Sequence, residues 1–313
     1  MNYSTGAIKD KRDKRDFKFS DIAFALPPFD WDKGFDIENE IGQKLTVKNQ
    51  NGSGSCGGQA WSYYGQALDK DLDEKSAKFI YSQTFIPPAG SAGRTNCDLV
   101  IKKGWGTEKL TPSYPATEIF MQNKEDITPV AYAQALTDKA LSYANVDINI
   151  ESIAQAIKEC SGCIIGITGK NNGTWTSAFP TKPDKLGNDC WNHWIYCGKV
   201  KIENGIRYIG FLNSWGEDVG ENGWQWLTED YIKYPYVWSA WTLVYNFPKF
   251  IFTKTLKLGM TNDDVKELQK KLGIMQTGFF WILTKNAVIK YQKSKGLIAD
   301  GIVGIKTMEL LNR

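Results

Sequence analysis

The chain is poor in histidine: His193 is the only one among 313 residues. Chemistry that needs several imidazoles, such as a three-histidine metal centre, is excluded at the outset. Long apolar runs are also lacking. No stretch reaches the roughly 18 residues that a membrane-spanning helix requires. Charge of one sign is missing too: 38 Lys and Arg stand against 35 Asp and Glu, a net +3. That balance provides no broad field for nucleic acid, which is not expected as a partner. The N-terminus shows no secretory signal, because the charged run from Lys9 to Asp16 is not followed by an apolar segment. The sequence therefore assigns no compartment, and an extracellular or wall-associated location would have to be reached by another route. What the chain does have is aromatic side chains, 12 Trp, 14 Tyr and 15 Phe, within a hydrophobic content of 42%. A well-filled core is expected, and a disordered adaptor is not.

Residues 1–25 read as a leader, with Phe17, Phe19 and Phe24 expected to dock on the body and cover a cleft. The body opens at Leu26-Pro27-Pro28-Phe29-Asp30-Trp31. Helical patterns fall at 59–68, 76–82, 98–103, 125–142 and 151–159, the last with Ile153, Ala154 and Ile157 on one face. After Ser161 the pattern changes. Apolar runs at 163–168, 194–200, 207–213 and 237–245 predict strands, with Asn204-Gly205 as a hairpin turn. Helices first and strands later predict an α+β fold. A composition shift around 246–257 suggests a linker, assigned to 248–254. Residues 255–313 then carry three helices at 262–272, 285–295 and 307–311. The segments around Gly278 and Gly301 resemble each other, each with a Thr six residues after the Gly.

One constellation points to chemistry. Cys56 follows the Gly- and Ser-rich stretch from Asn51 and precedes a helix, where unpaired N–H groups favour the thiolate. His193 is the only available base, and Asn213 could orient its ring. Cys, His and Asn in this order form a known variant of nucleophile, base and orienter. Against this stands the reading of Cys56 as a buried core thiol and of His193 as structural. The other cysteines, Cys97, Cys160, Cys163, Cys190 and Cys197, allow at most two disulfides. Cys160-x-x-Cys163 with Cys190 and Cys197 leaves a four-thiolate zinc site as an alternative to core thiols. The favoured reading needs neither metal nor cofactor.

Over residues 26–247 these motifs resemble the papain family of cysteine peptidases. The opening Leu26-Pro27, Gly54-Ser55-Cys56, Asn192-His193 and Asn213-Ser214-Trp215-Gly216, followed by Gly220 and Gly223-Trp224, carry the resemblance. It implies a two-lobed fold, a helical half against an antiparallel, barrel-like strand half. It also implies Cys56 as nucleophile, His193 as base, Asn213 as orienter and Gln50 as oxyanion donor. Trp215 would shield the His193–Asn213 bond, while Gly90-Ser91, Asn192 and Trp215 would face a polypeptide substrate. Two positions depart from the family: Gly57 stands where a Trp is common, and Ser53 replaces a disulfide cysteine. The family's long inhibitory propeptide does not fit in 25 residues.

Residues 255–313 resemble the peptidoglycan-binding type 1 domain through Leu256-x-Leu258-Gly259, Asp264-Val265-x-x-Leu268-Gln269, Ala287-Val288, Tyr291-Gln292, Gly296-Leu297 and Asp300-Gly301-x-x-Gly304-x-x-Thr307. Trp281 stands where a glycine is expected in the first half. The implied partner is peptidoglycan or another glycan surface. The expectation is a monomeric cysteine endopeptidase acting through a thioester. The alternatives are a murein peptidase or amidase and an inactive papain-like binding protein.

Overall fold

The computed structural model describes residues 6–11, 13, 16–23, 26–69, 73–244 and 252–311. They form two compact units that divide between Phe247 and Pro248. In the first unit, β1 (Ala7–Ile8), α1 (Phe19–Ala23), β2 (Phe35–Asp36) and α2 (Ile37–Ile41) lead into the long helix α3 (Cys56–Leu68). The helical half continues with α4 (Ala77–Thr84), β3 (Ser91–Ala92), α5 (Gly93–Lys102), α6 (Glu118–Gln122) and α7 (Pro129–Ala135). The strand half contains β4 (Ser142–Asn145), α8 (Ile150–Cys160), β5 (Cys163–Lys170), β6 (Cys190–Glu203), β7 (Ile206–Leu212), β8 (Trp224–Thr228) and β9 (Val237–Val244). Its antiparallel sheet runs β4-β9-β5-β6-β7-β8, with β2 added to β6.

Side-chain alternation explains how one sheet serves two cores. On β5 and β6, Ile165, Ile167, Ile195 and Cys197 join the core that includes α8, with Ile153 and Ile157. Their neighbours Ile164, Trp194 and Tyr196 join the core around α3, with Trp61, Tyr63 and Tyr64. Successive strand residues point to opposite faces, so strands buried on both faces read as continuous apolar runs. That is why 163–168 and 194–200 were legible. The α3 helix is buried on all sides except at Leu68, which suits a helix wedged between halves.

Three expectations change. The helix expected over 125–142 shrinks to α7, capped by Thr128, because the chain then turns so that Asp138 can reach the buried Lys75 at 2.6 Å. Ser142 already belongs to β4, paired with β9. Strand β8 was not anticipated. The expected helix at 98–103 is the C-terminal part of the longer α5.

The second unit packs α9 (Asp263–Lys271), α10 (Ile282–Ser294) and α11 (Ile305–Leu311) around Leu256, Val265, Leu268, Phe280, Val288, Val303 and Leu311. Phe252 is part of this core, so packing begins within the stretch 248–254. The resemblance between its two segments is structural as well. Gln269 donates to Thr277 Oγ1, Phe279 O and Thr284 Oγ1, and accepts from Gly278 N–H. Gln292, at the corresponding place, donates to Asp300 Oδ1, Ile302 O and Thr307 Oγ1, and accepts from Gly301 N–H. Both glycines have positive φ, +72° and +74°, which a residue with a Cβ adopts at a cost.

The two halves of the first unit are tied at Tyr64. Its hydroxyl accepts from Leu243 N–H at 3.1 Å and lies 2.8 Å from Cys160 O and 2.7 Å from Gly162 O. Tyr64→Phe leaves these buried groups short of a partner and should destabilise the unit by about 1–3 kcal/mol. Denaturant unfolding checks this, and an unchanged midpoint would remove Tyr64 as the tie.

Candidate active site

Cys56 is the first residue of α3 and is fully buried. No side chain caps this helix, since Ser55 Oγ is engaged with Ser53 Oγ at 2.7 Å and with Gln59 Nε2 at 3.2 Å. The first-turn N–H groups therefore keep their donor capacity. Gly57 follows because a Cβ there would run into Ser91 Oγ and Asn96 Nδ2. The departure from the family's Trp thus lets β3 approach the helix start. The backbone amides of Trp194 and Gly6 come close enough to the Cys56 sulfur to favour its charged form. Trp194 directly follows His193 on β6 and shares a core with Cys56, so the strand brings the histidine to the start of α3.

His193 is fully buried. Its Nε2 lies 3.0 Å from Asn213 Oδ1, and its Nδ1 has no hydrogen-bond partner. A chain of amides fixes which nitrogen carries the proton. The backbone carbonyls of Trp175 and Ser177 can only accept, and Gln225 Nε2 donates to them at 3.0 and 2.6 Å. Gln225 Oε1 must then accept, and Asn213 Nδ2 donates to it at 2.7 Å. This leaves Asn213 Oδ1 to accept from Ser214 N–H at 2.8 Å and from His193 Nε2–H. Nδ1 is consequently the nitrogen with a lone pair. Trp215 stacks on the imidazole, with ring centroids 4.9 Å apart at 25°, and Trp191 meets it edge-on at 6.1 Å. Gln50 is buried beside them, accepting from Ser214 Oγ at 2.7 Å and donating from Nε2 to Ser53 O at 2.6 Å. Cys56, His193, Asn213, Gln50 and Trp215 are thus gathered in one place.

The segment beginning at Gly6 lies over that place. Strand β1 pairs in parallel with β3, Ala7 against Ser91 and Ile8 against Ala92, and Ser91 N–H donates to Gly6 O at 2.8 Å. A Cβ on Gly6 would collide with the carbonyl of Gly54, and one on Gly90, at φ +123°, with the carbonyl of Gly6. Further along, Arg94 holds both carboxylate oxygens of Asp16, at 2.9 and 2.5 Å, while its N–H donates to Asp10. Phe19 is buried in the α8 core, as expected of a docking aromatic. Phe17 is 67% exposed, which corrects the expectation for that residue, and Phe24 lies outside the described residues. A glycine, rather than an aromatic, meets the nucleophile.

Burial reverses the expected charge state. Desolvation pushes the Cys56 thiol up to about 11, overriding the N–H groups at its sulfur. It pushes the His193 imidazole down to about 4, against the bond to Asn213. In this covered form the pair is neutral, and the thiolate expected from the helix N-terminus alone is not favoured.

Sequence reasoning missed several residues. Glu118 accepts from Gly54 N–H at 2.6 Å and from Tyr81 Oη at 2.7 Å, and Tyr81 accepts from Gly90 N–H at 2.8 Å. This bridge joins the loop before Cys56 to the Gly90-Ser91 segment, on the stretch where Ser53 replaces a disulfide cysteine. Asn192, expected at the substrate, instead accepts from Thr168 Oγ1 at 2.9 Å on the neighbouring strand. All six cysteines are free thiols, and Cys163 lies opposite Cys197 in the β5–β6 register. Among the described residues, no three His, Cys, Asp or Glu side chains gather where they could hold a metal, so the four-thiolate alternative has no geometric support.

This arrangement is set in the fold of papain-like cysteine proteases. Xylellain, a cysteine protease from Xylella fastidiosa, superposes with a TM-score of 0.62 at 22% identity, over 77% of this chain and 95% of xylellain. The proform of the ragweed pollen allergen Amb a 11, also a cysteine protease, gives 0.58 at 20% identity, over 72% and 68%. Bromelain from Ananas comosus gives 0.52 at 19%, over 67% and 97%. Residues 261–311 match the family described as "Putative peptidoglycan binding domain". No curated protein sequence matches the chain.

Because His193 is the only histidine, its ring nitrogens can be followed without ambiguity by ¹⁵N NMR. The wild-type protein should show the Nε2–H form. Gln225→Leu should mix the tautomers and cost about 1–3 kcal/mol of stability, since carbonyls and Asn213 lose a buried partner. An unaltered tautomer in a folded Gln225→Leu protein would show that Gln225 does not set it.

Proposed function

We propose that the first unit is a cysteine peptidase held in a covered, zymogen-like form by its own N-terminal segment. The observation that carries this is the orientation of the His193 ring. One nitrogen donates to Asn213, and the other is left with its lone pair one residue before Trp194, whose backbone amide favours charge on the Cys56 sulfur. Cys56 is the nucleophile. Once the segment leaves, its proton passes to His193 Nδ1 and the sulfur attacks the substrate carbonyl carbon. The developing oxyanion takes hydrogen bonds from Cys56 N–H and Gln50 Nε2. The imidazolium then protonates the leaving amine, the C–N bond breaks and a thioester remains. Water gives a proton to the same imidazole as it attacks the thioester carbon, the C–S bond breaks, the acyl group leaves as a carboxylic acid, and the imidazolium returns the proton to the Cys56 sulfur. Asn213 is neutral and orients the ring without adding charge. Gly90-Ser91, now paired with β1, is the edge a polypeptide substrate would take.

The match of residues 261–311 supports attachment of the second unit to a wall glycan. It also favours a second reading in which the substrate is a wall stem peptide. Release of peptides from purified sacculi, compared with turnover of casein, separates the two. The binding-protein alternative is disfavoured because the sequence keeps Cys56, His193, Asn213 and Gln50 together.

Cys56→Ala should abolish hydrolysis of a fluorogenic peptide without unfolding the protein. Gln50→Ala should lower kcat by about 10²–10³. Retained activity in folded Cys56→Ala would overturn the assignment.

The covering also makes a pH-dependent prediction. With the segment in place, iodoacetamide should reach the half-exposed Cys190 first, and in a Cys190→Ser background Cys56 should react slowly. Its rate should climb with pH toward 11, because only the thiolate reacts. Gly6→Val, which cannot seat against Gly54, should make Cys56 reactive near neutral pH and raise peptidase activity. Equal alkylation rates in the two proteins would rule out the covering role of Gly6.

A further inference from the structure

The two halves of the second unit share a scaffold and differ on the surface. Residues 23 positions apart repeat the same interior: Gln269 and Gln292 at the centre of their hydrogen bonds, Val265 and Val288 in the core, Phe280 and Val303 fully buried. What the halves do not share is a ring pair. On the extended stretch before α10, Phe280 points inward while Phe279 and Trp281 point out. These two side chains are 37% and 57% exposed and stack on each other, with centroids 5.4 Å apart at 20°. The second half has Ile302 and Gly304 at these positions. Neither ring belongs to the core of this unit, and Trp281 stands where the domain's own pattern expects glycine. Charge separates the units as well. Residues 248–313 contain twelve Lys and Arg against five Asp and Glu, a net +7, which leaves −4 on the remainder of a +3 chain. Lys285 follows Trp281 by one helical turn, its N–H donating to Trp281 O.

We propose that Phe279 and Trp281 form the platform on which this unit holds the glycan strand of peptidoglycan. The apolar face of an amino-sugar ring lies on the aromatic pair, and the lysines of this unit meet the carboxylates of the stem peptides. This rests on the wall-attachment reading above and locates it on the first half of the repeat. The open face of a stacked, near-parallel ring pair matches the flat, C–H-rich face of a sugar, a contact that apolar Ile302 cannot supply. A basic unit on a chain whose other unit is acidic lets the polymer's negative charge select the second unit over the first.

The test is pelleting of the full chain, carrying Cys56→Ala so that the wall stays intact, with purified sacculi. Phe279→Ala with Trp281→Ala should lower retention at least tenfold, Trp281→Phe should keep most of it, and Met275→Ala, exposed elsewhere on the unit, should leave it unchanged. Sedimentation of the free protein should give the same mass for all variants. If the full chain fails to pellet, the wall-attachment reading falls. If it pellets and the folded double variant pellets equally, the platform is wrong while the attachment stands. Wild-type self-association that the double variant loses would make a second copy the occupant and would overturn the proposal.

Discussion

Two backbone carbonyls, at Trp175 and Ser177, set the direction of everything that follows in this site. They cannot donate, so Gln225 must, and the requirement passes through Asn213 to the imidazole. A buried amide facing the wrong way would leave unpaired donors opposed, at a cost of the order of kilocalories per group. The proton on His193 is thus placed by the loop between β5 and β6 and by β8, far from Cys56 in sequence. The aromatic wall of Trp175, Trp191 and Trp215 keeps water from loosening the chain of bonds, with Trp175 and Trp215 centroids 5.8 Å apart. Low local polarity strengthens such a network as long as every member is satisfied.

In the proposed covered form, the same dryness would keep the thiol and imidazole neutral. Charge separation between thiol and imidazole needs solvent or a partner charge, and the burial at Cys56 offers neither. The helix N-terminus is a modest influence beside desolvation. The covering is short, one pair of two-residue strands, and its specificity comes from the absence of a side chain at Gly6 and from the grip of Arg94 on Asp16. Steric fit decides what may lie on the nucleophile, and charge decides how the rest of the segment is anchored.

Much of this was legible in the sequence, for definite reasons. Strands buried on both faces, such as β5 and β6, announce themselves as unbroken apolar runs. Cys56, His193 and Asn213 are each flanked by motifs that read without coordinates. The repeated Gly and Thr of the second unit betrayed its duplication, although not the glutamines at its centre. What stayed hidden depends on long-range meetings. Glu118 lies 64 residues from Gly54, and nothing local marks a carboxylate that accepts from a distant loop. Gln225 lies between Trp224 and Trp226 on β8, and nothing local marks it as the relay for a distant imidazole. Residues 125–142 carried helical propensity, but the pull of Asp138 toward buried Lys75 ended the helix early. The thiolate expectation failed because burial, to which a segment about fifty residues upstream contributes, outweighed the helix end.

The cysteines have one more consequence. Six free thiols and a hydrogen-bonded bridge through Glu118 mean that no covalent cross-link among the described residues supports this fold. Reductant therefore has nothing structural to cut, and conditions that keep a sulfur nucleophile in its working oxidation state leave the scaffold untouched. Oxidation acts on the nucleophile first once the cleft is open, since sulfenic acid forms where a thiolate is accessible. While Gly6 covers Cys56, the same backbone that withholds it from substrate also withholds it from peroxide.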